Sequence, residues 1–112
     1  MRGTSIGEFE ELVLLMVIIN SENAYMMTIR DELKKQVNRN VSMGALHVTL
    51  SRLEKKGFLT SEMRGASAKR GGRRKRYYNI AAAGKKILRD TRDLRKQLWE
   101  QIPSLTLNTP NA

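Results

Sequence analysis

The feature that most limits how this chain can fold is an uninterrupted apolar run, Leu12-Val13-Leu14-Leu15-Met16-Val17-Ile18-Ile19. A membrane-spanning helix needs about 20 such residues, so the run is far too short to cross a bilayer. It belongs inside a folded domain. Periodicity alone does not separate a buried helix from a buried strand here. The approach to the run decides the matter. Gly7-Glu8-Phe9-Glu10-Glu11 places carboxylates in a first turn, where they complement the positive end of a helix. A helix is expected from about Gly7 to Ile19, stopping near Asn20-Ser21 and lying at the centre of the core.

The remaining elements are built around it. Met26, Met27, Ile29, Leu33 and Val37 recur at helical spacing, and Arg30, Asp31, Glu32, Lys34 and Lys35 fill the other face. A second helix is expected from about Tyr25 to Val37, then a turn at Asn38-Arg39-Asn40. Ser42 is a good N-cap for a third helix, because its hydroxyl can accept a bond from an orphan N–H. Leu46, Leu50 and Leu53 form the buried face of that helix, and Gly57 is expected to close it in a left-handed conformation. Two strands follow, Phe58 to Arg64 and Lys75 to Ile80, with Leu59, Ser61 and Met63 alternating against Thr60, Glu62 and Arg64. Between them, Gly65 to Arg74 is too long and too glycine-rich for a tight turn. A fourth helix is expected from about Ala82 to Gln101, stopped by Pro103. Residues 104–112 have no strong pattern and read as a frayed tail.

Charge narrows the function. The 112 residues have room for one domain, and they carry a formal net charge of +10. A balance this basic favours a polyanionic partner: DNA, RNA or an anionic membrane surface. The charge is also uneven. Arg64, Lys69, Arg70, Arg73, Arg74, Lys75 and Arg76 place seven of the 21 basic residues in one stretch that contains no acid. The chain has no cysteine, which excludes disulfides and thiolate metal sites. No secretory signal pattern is visible, and a cytoplasmic location is expected.

Helix, helix, helix, hairpin is the order of a winged helix-turn-helix. The fold class expected is therefore mainly α with a β-hairpin wing (α+β), extended by a C-terminal dimerisation helix. Residues 1–80 would form the DNA-binding domain, 81–102 the dimerisation helix and 103–112 a flexible tail. The Ser42-capped helix would be the recognition helix in a major groove. It presents Gly44, Val48, Ser51, Arg52 and Lys55 away from the buried face, with His47 to one side. Small Gly44 and Ala45 would let backbone approach phosphate. Arg52 would pair with a guanine or a phosphate, with Ser51 and Thr49 available for either, and Val48 would touch a thymine methyl. In the wing, Lys69, Arg70, Arg73, Arg74 and Arg76 would reach backbone phosphate or a minor groove. His47 is the single histidine, without a second histidine, a cysteine or a carboxylate cluster. It is either a phosphate contact or a plain surface residue, and neither a metal, a cofactor nor catalysis is expected.

The fourth helix needs a partner. Its stripe Ile87, Thr91, Leu94, Leu98 and Ile102, flanked by Leu88 and Trp99, extends past the small core. Two such helices packed together would make a homodimer and set two recognition helices on a palindromic site. Trp99 reads either as interface packing or as part of a ligand pocket for a small aromatic effector. The competing functional class is a basic interaction module that holds a protein or RNA.

The chain also resembles PadR-family transcriptional regulators of the short type. The resemblance rests on Gly7 to Leu15, Asn23-Ala24-Tyr25, Thr28-Ile29-Arg30, Val41 to Leu46, Leu50 to Gly57, and Gly71-Gly72-Arg73-Arg74-Lys75-Arg76-Tyr77-Tyr78. It spans about Ser5 to Leu88, and the last segment is its most specific part. It implies a dimeric DNA-binding regulator, often a repressor of a neighbouring operon, released from DNA in some relatives by a small aromatic or drug-like molecule. Two positions depart from the family. His47 stands where a tyrosine is usual, and Ala81-Ala82-Ala83-Gly84 replaces the Thr-Pro-like start of the fourth helix. The second departure removes an N-cap worth about 0.5–2 kcal/mol.

Overall fold

The computed structural model describes residues 5–65 and 74–108. Three helices come first: α1 (Glu8–Ile19), α2 (Met26–Val37) and α3 (Met43–Lys55). An antiparallel hairpin follows, β1 (Leu59–Gly65) and β2 (Arg74–Ile80), and then α4 (Ala82–Trp99). Among the described residues, four helices and one two-stranded hairpin in this order match the expected winged helix-turn-helix. A single 3-10 turn, Thr106–Asn108, lies in the segment that had no pattern in the sequence. Among the described residues no helix is long and apolar enough to cross a membrane.

The core is where the first three helices meet. The Glu10 carboxylate accepts the Gly7 N–H at 3.1 Å and closes the first turn of α1. Val13, Leu14, Met16 and Val17 then turn inward. They meet Ile29 and Leu33 of α2 and Leu46, Leu50 and Leu53 of α3, these five all at 0% exposure. Full burial of each such side chain contributes about 1.5–3 kcal/mol. The apolar run is nevertheless not buried all round. Leu15 is 37% exposed, Ile18 40% and Ile19 56%. Helix α1 lies in the core on one side, and its outer side is apolar as well, next to α4.

Local chemistry sets each junction. Thr28 Oγ1 accepts the Tyr25 N–H at 3.1 Å and starts α2. Asn38 ends α2 with φ of 55°. Arg30 Nε then donates to the Val41 carbonyl at 3.0 Å, fixing the turn into α3. Ser42 Oγ accepts the Ala45 N–H at 3.0 Å, the cap expected from the sequence. At the far end Gly57 has φ of +84°. Its N–H reaches the Glu54 carbonyl at 3.0 Å, and the Phe58 N–H reaches Leu53 at 3.0 Å. These two bonds reverse the chain into β1.

The base of the hairpin is anchored in the core. Leu59 pairs with Ile80 and Ser61 with Tyr78, and Leu59 and Tyr78 are buried. Burial pushes the Tyr78 phenol above its usual pKa. The Tyr78 N–H donates to the Ala24 carbonyl at 2.8 Å, and Tyr25 bridges Tyr77, so the chain entering α2 lines the free edge of β2. Beyond Ser61 the inward face has left the core, and Met63 is 41% exposed.

Helix α4 starts without a side-chain cap at Ala81, as its sequence implied. Backbone packing holds the junction instead. The Ala81 N–H donates to the Phe58 carbonyl at 3.0 Å. A Cβ at buried Gly84 would stand 2.3 Å from that same oxygen and 2.6 Å from Ile80 Cδ1, so only glycine allows this approach. Ile87 and Leu88 then pack on the core, and the rest of α4 runs out past it. The radius of gyration, 17.3 Å, shows this extension; a compact chain of this length would give about 13 Å.

Candidate nucleic-acid interface

Helix α3 presents the face expected of it. Gly44, His47, Val48, Arg52 and Lys55 are exposed, Ser51 is half-buried, and Val48 is 53% exposed. Thr49 corrects the sequence reading. It is only 6% exposed on the inner side of the helix and is not available to a partner. Gly44 is informative by contrast with Gly84. A Cβ at Gly44 would meet nothing within 4 Å. Glycine costs a helix roughly 0.5–1 kcal/mol relative to alanine, and nothing inside this chain requires it there.

The hairpin places cations beside that helix. Arg74, Lys75 and Arg76 are exposed on β2. Lys69, Arg70 and Arg73 lie outside the described residues. Arg76 Nη1 donates to Ser61 Oγ at 2.9 Å, and Ser61 Oγ donates to Glu54 Oε2 at 2.7 Å. This relay ties the wing cation to the last turn of α3. On the other face of the hairpin, the Arg64 guanidinium lies 4.1 Å from the centre of the Tyr77 ring. Tyr77 meets Tyr25 edge-on at 5.3 Å, and Lys75 Nζ lies 4.2 Å from the centre of the Tyr25 ring. Such cation–π contacts add attraction while leaving the charge in place. Arg64 Nε also lies 2.9 Å from Glu62 Oε2.

Sequence reading missed these supports. Neither the place of Glu54 in the relay nor the stacking on Tyr77 was expected from the sequence. The signal was weak because each residue acts through a neighbour remote in sequence. The same holds for Glu10, whose carboxylate pairs with Lys56 Nζ at 3.0 Å and anchors the end of α3 to α1. Burial disfavours the charge on Glu10, but the Gly7 N–H, Lys56 and the nearby charge of Arg52 together bring its pKa below the usual value.

The stripe on α4 divides in two. Ile87 is 5% exposed and belongs to the chain's own core, so it has almost no surface left for a partner. Leu88 and Thr91 are half-buried. Leu94 is 57% exposed, Leu98 55%, Trp99 58% and Ile102 40%. Leu15 and Ile18 of α1 line a groove with Leu88 and Arg92, which extends the apolar surface beyond the residues expected. Trp99 borders a hollow of ≈ 280 Å³ with Ile102, Pro103 and Leu107. Among the described residues no group of His, Asp or Glu is placed to hold a metal ion.

Comparison with known proteins agrees with this geometry. Residues 14–90 match the profile of the transcriptional regulator PadR-like family. A PadR-like transcription factor from Bacteroides fragilis is 26% identical, with a TM-score of 0.66 over 80% of this chain and 84% of that one. A PadR family transcription regulator from Clostridium difficile R20291 is 25% identical, with a TM-score of 0.59 over 87% and 95%. The ORC1 protein of Aeropyrum pernix, solved in complex with DNA, is similar in fold alone: 19% identity and a TM-score of 0.60 over 85% of this chain and 27% of that one. No curated protein matches the chain.

Proposed function

The chain belongs to the PadR-like family of transcriptional regulators, and from that premise we propose that it acts as a homodimeric repressor on a palindromic operator. DNA-binding transcriptional regulation is the family's activity, and the family is one of regulators, not of enzymes. In the proposed division of labour, residues 1–80 bind DNA, 81–102 dimerise and 103–112 form a tail. Ser42, Gly44, His47, Val48, Ser51, Arg52 and Lys55 face the major groove, and the wing cations, Lys69, Arg70 and Arg73 included, face phosphate.

One observation carries the reading. The Arg76–Ser61–Glu54 relay holds a wing cation against the α3 helix, whose outward face is small and basic. Two separate cationic elements are thereby kept in one orientation, which a duplex spanning groove and backbone requires. A homodimer is supported by the exposed Leu94, Leu98 and Trp99, because that much apolar surface on one helix calls for a cover. A compatible reading seats a small aromatic effector at Trp99, and quenching of this single tryptophan by aromatic ligands tests it.

Anisotropy titration with duplex DNA at several salt concentrations tests the proposal. Affinity should fall steeply with salt, because each phosphate-bound cation releases a counterion. Replacing Arg73, Arg74 and Arg76 by Ala should weaken binding to every sequence. It should also flatten the salt dependence by about one unit for each phosphate no longer neutralised. Arg52→Ala should change sequence preference more. No DNA binding at low salt would overturn the reading, and an acidic protein or RNA held at high salt would favour the interaction-module alternative.

A further inference from the structure

An apolar opening beside the proposed DNA surface lies between the proposed recognition helix α3 and the hairpin. It has a volume of ≈ 390 Å³, within the roughly 300–1,000 Å³ usual for small-molecule sites. Its lining holds four of the chain's six methionines: Met26 and Met27 from α2, Met43 from α3 and Met63 from β1. Methionine is flexible and polarizable, and it adapts to varied apolar shapes. Met27 is 45% exposed and Met63 41%, so neither is needed to fill the core. The rim carries Lys75, Arg76 and His47, and no carboxylate lines the opening. Lys75 is held at the Tyr25 ring and Arg76 at Ser61, so both charges are positioned there before anything binds.

We propose that this cleft binds an amphiphilic organic anion, its apolar body against the four methionines and its negative group at Lys75 and Arg76, and that the anion and DNA exclude each other. The proposal rests on the DNA-binding reading for its competition. Met43 and His47 belong to the first two turns of α3, and Arg76 belongs to the wing. An occupant therefore sits between the two elements that would straddle the DNA backbone, and it takes up the charge that phosphate would meet. Linkage makes the effect reciprocal: DNA must lower affinity for the anion by the same factor.

The test uses 8-anilinonaphthalene-1-sulfonate, an apolar fluorophore with one sulfonate, on the full chain. Fluorescence should rise on binding and fall again as duplex DNA is added. The double variant Met27→Gln with Met63→Gln should bind the probe about tenfold more weakly, a change of about 1.4 kcal/mol, and Lys75→Gln should weaken it severalfold. Circular dichroism confirms that the variants are folded. Three results would overturn the proposal: no probe binding; binding that survives the methionine changes but is lost in Trp99→Phe or Leu88→Gln, which places the probe on α4; or binding that saturating DNA leaves intact. The DNA titration without probe reads the DNA-binding function by itself, so failure of the cleft and failure of the regulator reading are told apart.

Discussion

Two helices of this protein each leave a long face in water, and the two faces differ in kind. The outward face of α3 is small and basic: Gly44, Val48, Arg52 and Lys55. The outer half of α4 is apolar: Leu94, Leu98 and Trp99 are each more than half exposed. Helix α3 is also fixed at both ends, by the Ser42 cap and by the Gly57 reversal with the Lys56–Glu10 pair. Among the described residues helix α4 packs on the core near its start, through Gly84, Ile87 and Leu88. The contrast teaches how to read exposure. On the proposed function, the face that would meet a polyanion is charged and rigidly presented, because position on a groove matters. The face proposed to meet a second copy can extend freely, because that copy would supply the packing.

The strongest way to break this comparison is to make the outer α4 face polar. Leu94→Glu with Leu98→Glu should leave the helical signal intact, since both side chains are already in water. Sedimentation equilibrium should then show monomer, against the dimer proposed for the native chain. Affinity for a palindromic site should fall about 100-fold or more, because two linked half-sites no longer bind together. A variant that remains dimeric would show that α4 does not carry the association.

A smaller change sharpens the α3 side. Gly44→Ala should raise stability in urea denaturation by up to about 0.5 kcal/mol, less than the helix-interior difference because Gly44 stands in the first turn of α3. The same variant should bind DNA about tenfold more weakly, a loss of about 1.4 kcal/mol, because in the proposed complex the new methyl would stand where backbone meets phosphate. Opposite signs in the two measurements mark a residue kept for a partner. Gains in both would remove α3 from the DNA surface at that point. Gly84 has no such ambiguity, since its cause lies inside the chain.

Much of this was legible in the sequence. The Ser42 cap, the Gly57 reversal and the leucine stripe of α3 are short-range features, and each fixes its own geometry. The outward side of α1 was not legible. An eight-residue apolar run looks the same whether it is buried all round or serves two surfaces, and Leu15 and Ile18 turned out to serve the second. The inward place of Thr49 was missed for a related reason: its polar type suggested water, but its position beside Leu46, Leu50 and Leu53 put it inside. The Arg76–Ser61–Glu54 relay needs the hairpin register, which depends on how the strands close and not on either strand alone. The requirement for Gly84 likewise appears only when α4 meets the Phe58 carbonyl.

The finest test concerns the anchoring of α3 itself. Glu10 and Lys56 pair with the Glu10 side chain only 13% exposed, whereas the Lys86–Asp90 pair on α4 is 68% and 53% exposed. If anchoring distinguishes the two helices, Glu10→Gln should cost about 0.5–1 kcal/mol, and Asp90→Asn no more than about 0.3–0.5 kcal/mol. The dependence on pH identifies the source. Folding lowers the Glu10 pKa below its ordinary 4.5, despite the opposing effect of burial, through the Gly7 N–H and Lys56. A group whose pKa falls on folding stabilises the fold fully above its unfolded pKa, and loses that contribution as pH drops through the folded value. Native protein and Glu10→Gln should therefore differ in urea midpoint at about pH 7 and converge as pH falls through the lowered Glu10 pKa. A difference that persists in acid would assign the effect to packing of the side chain and would leave α3 no better anchored by charge than α4.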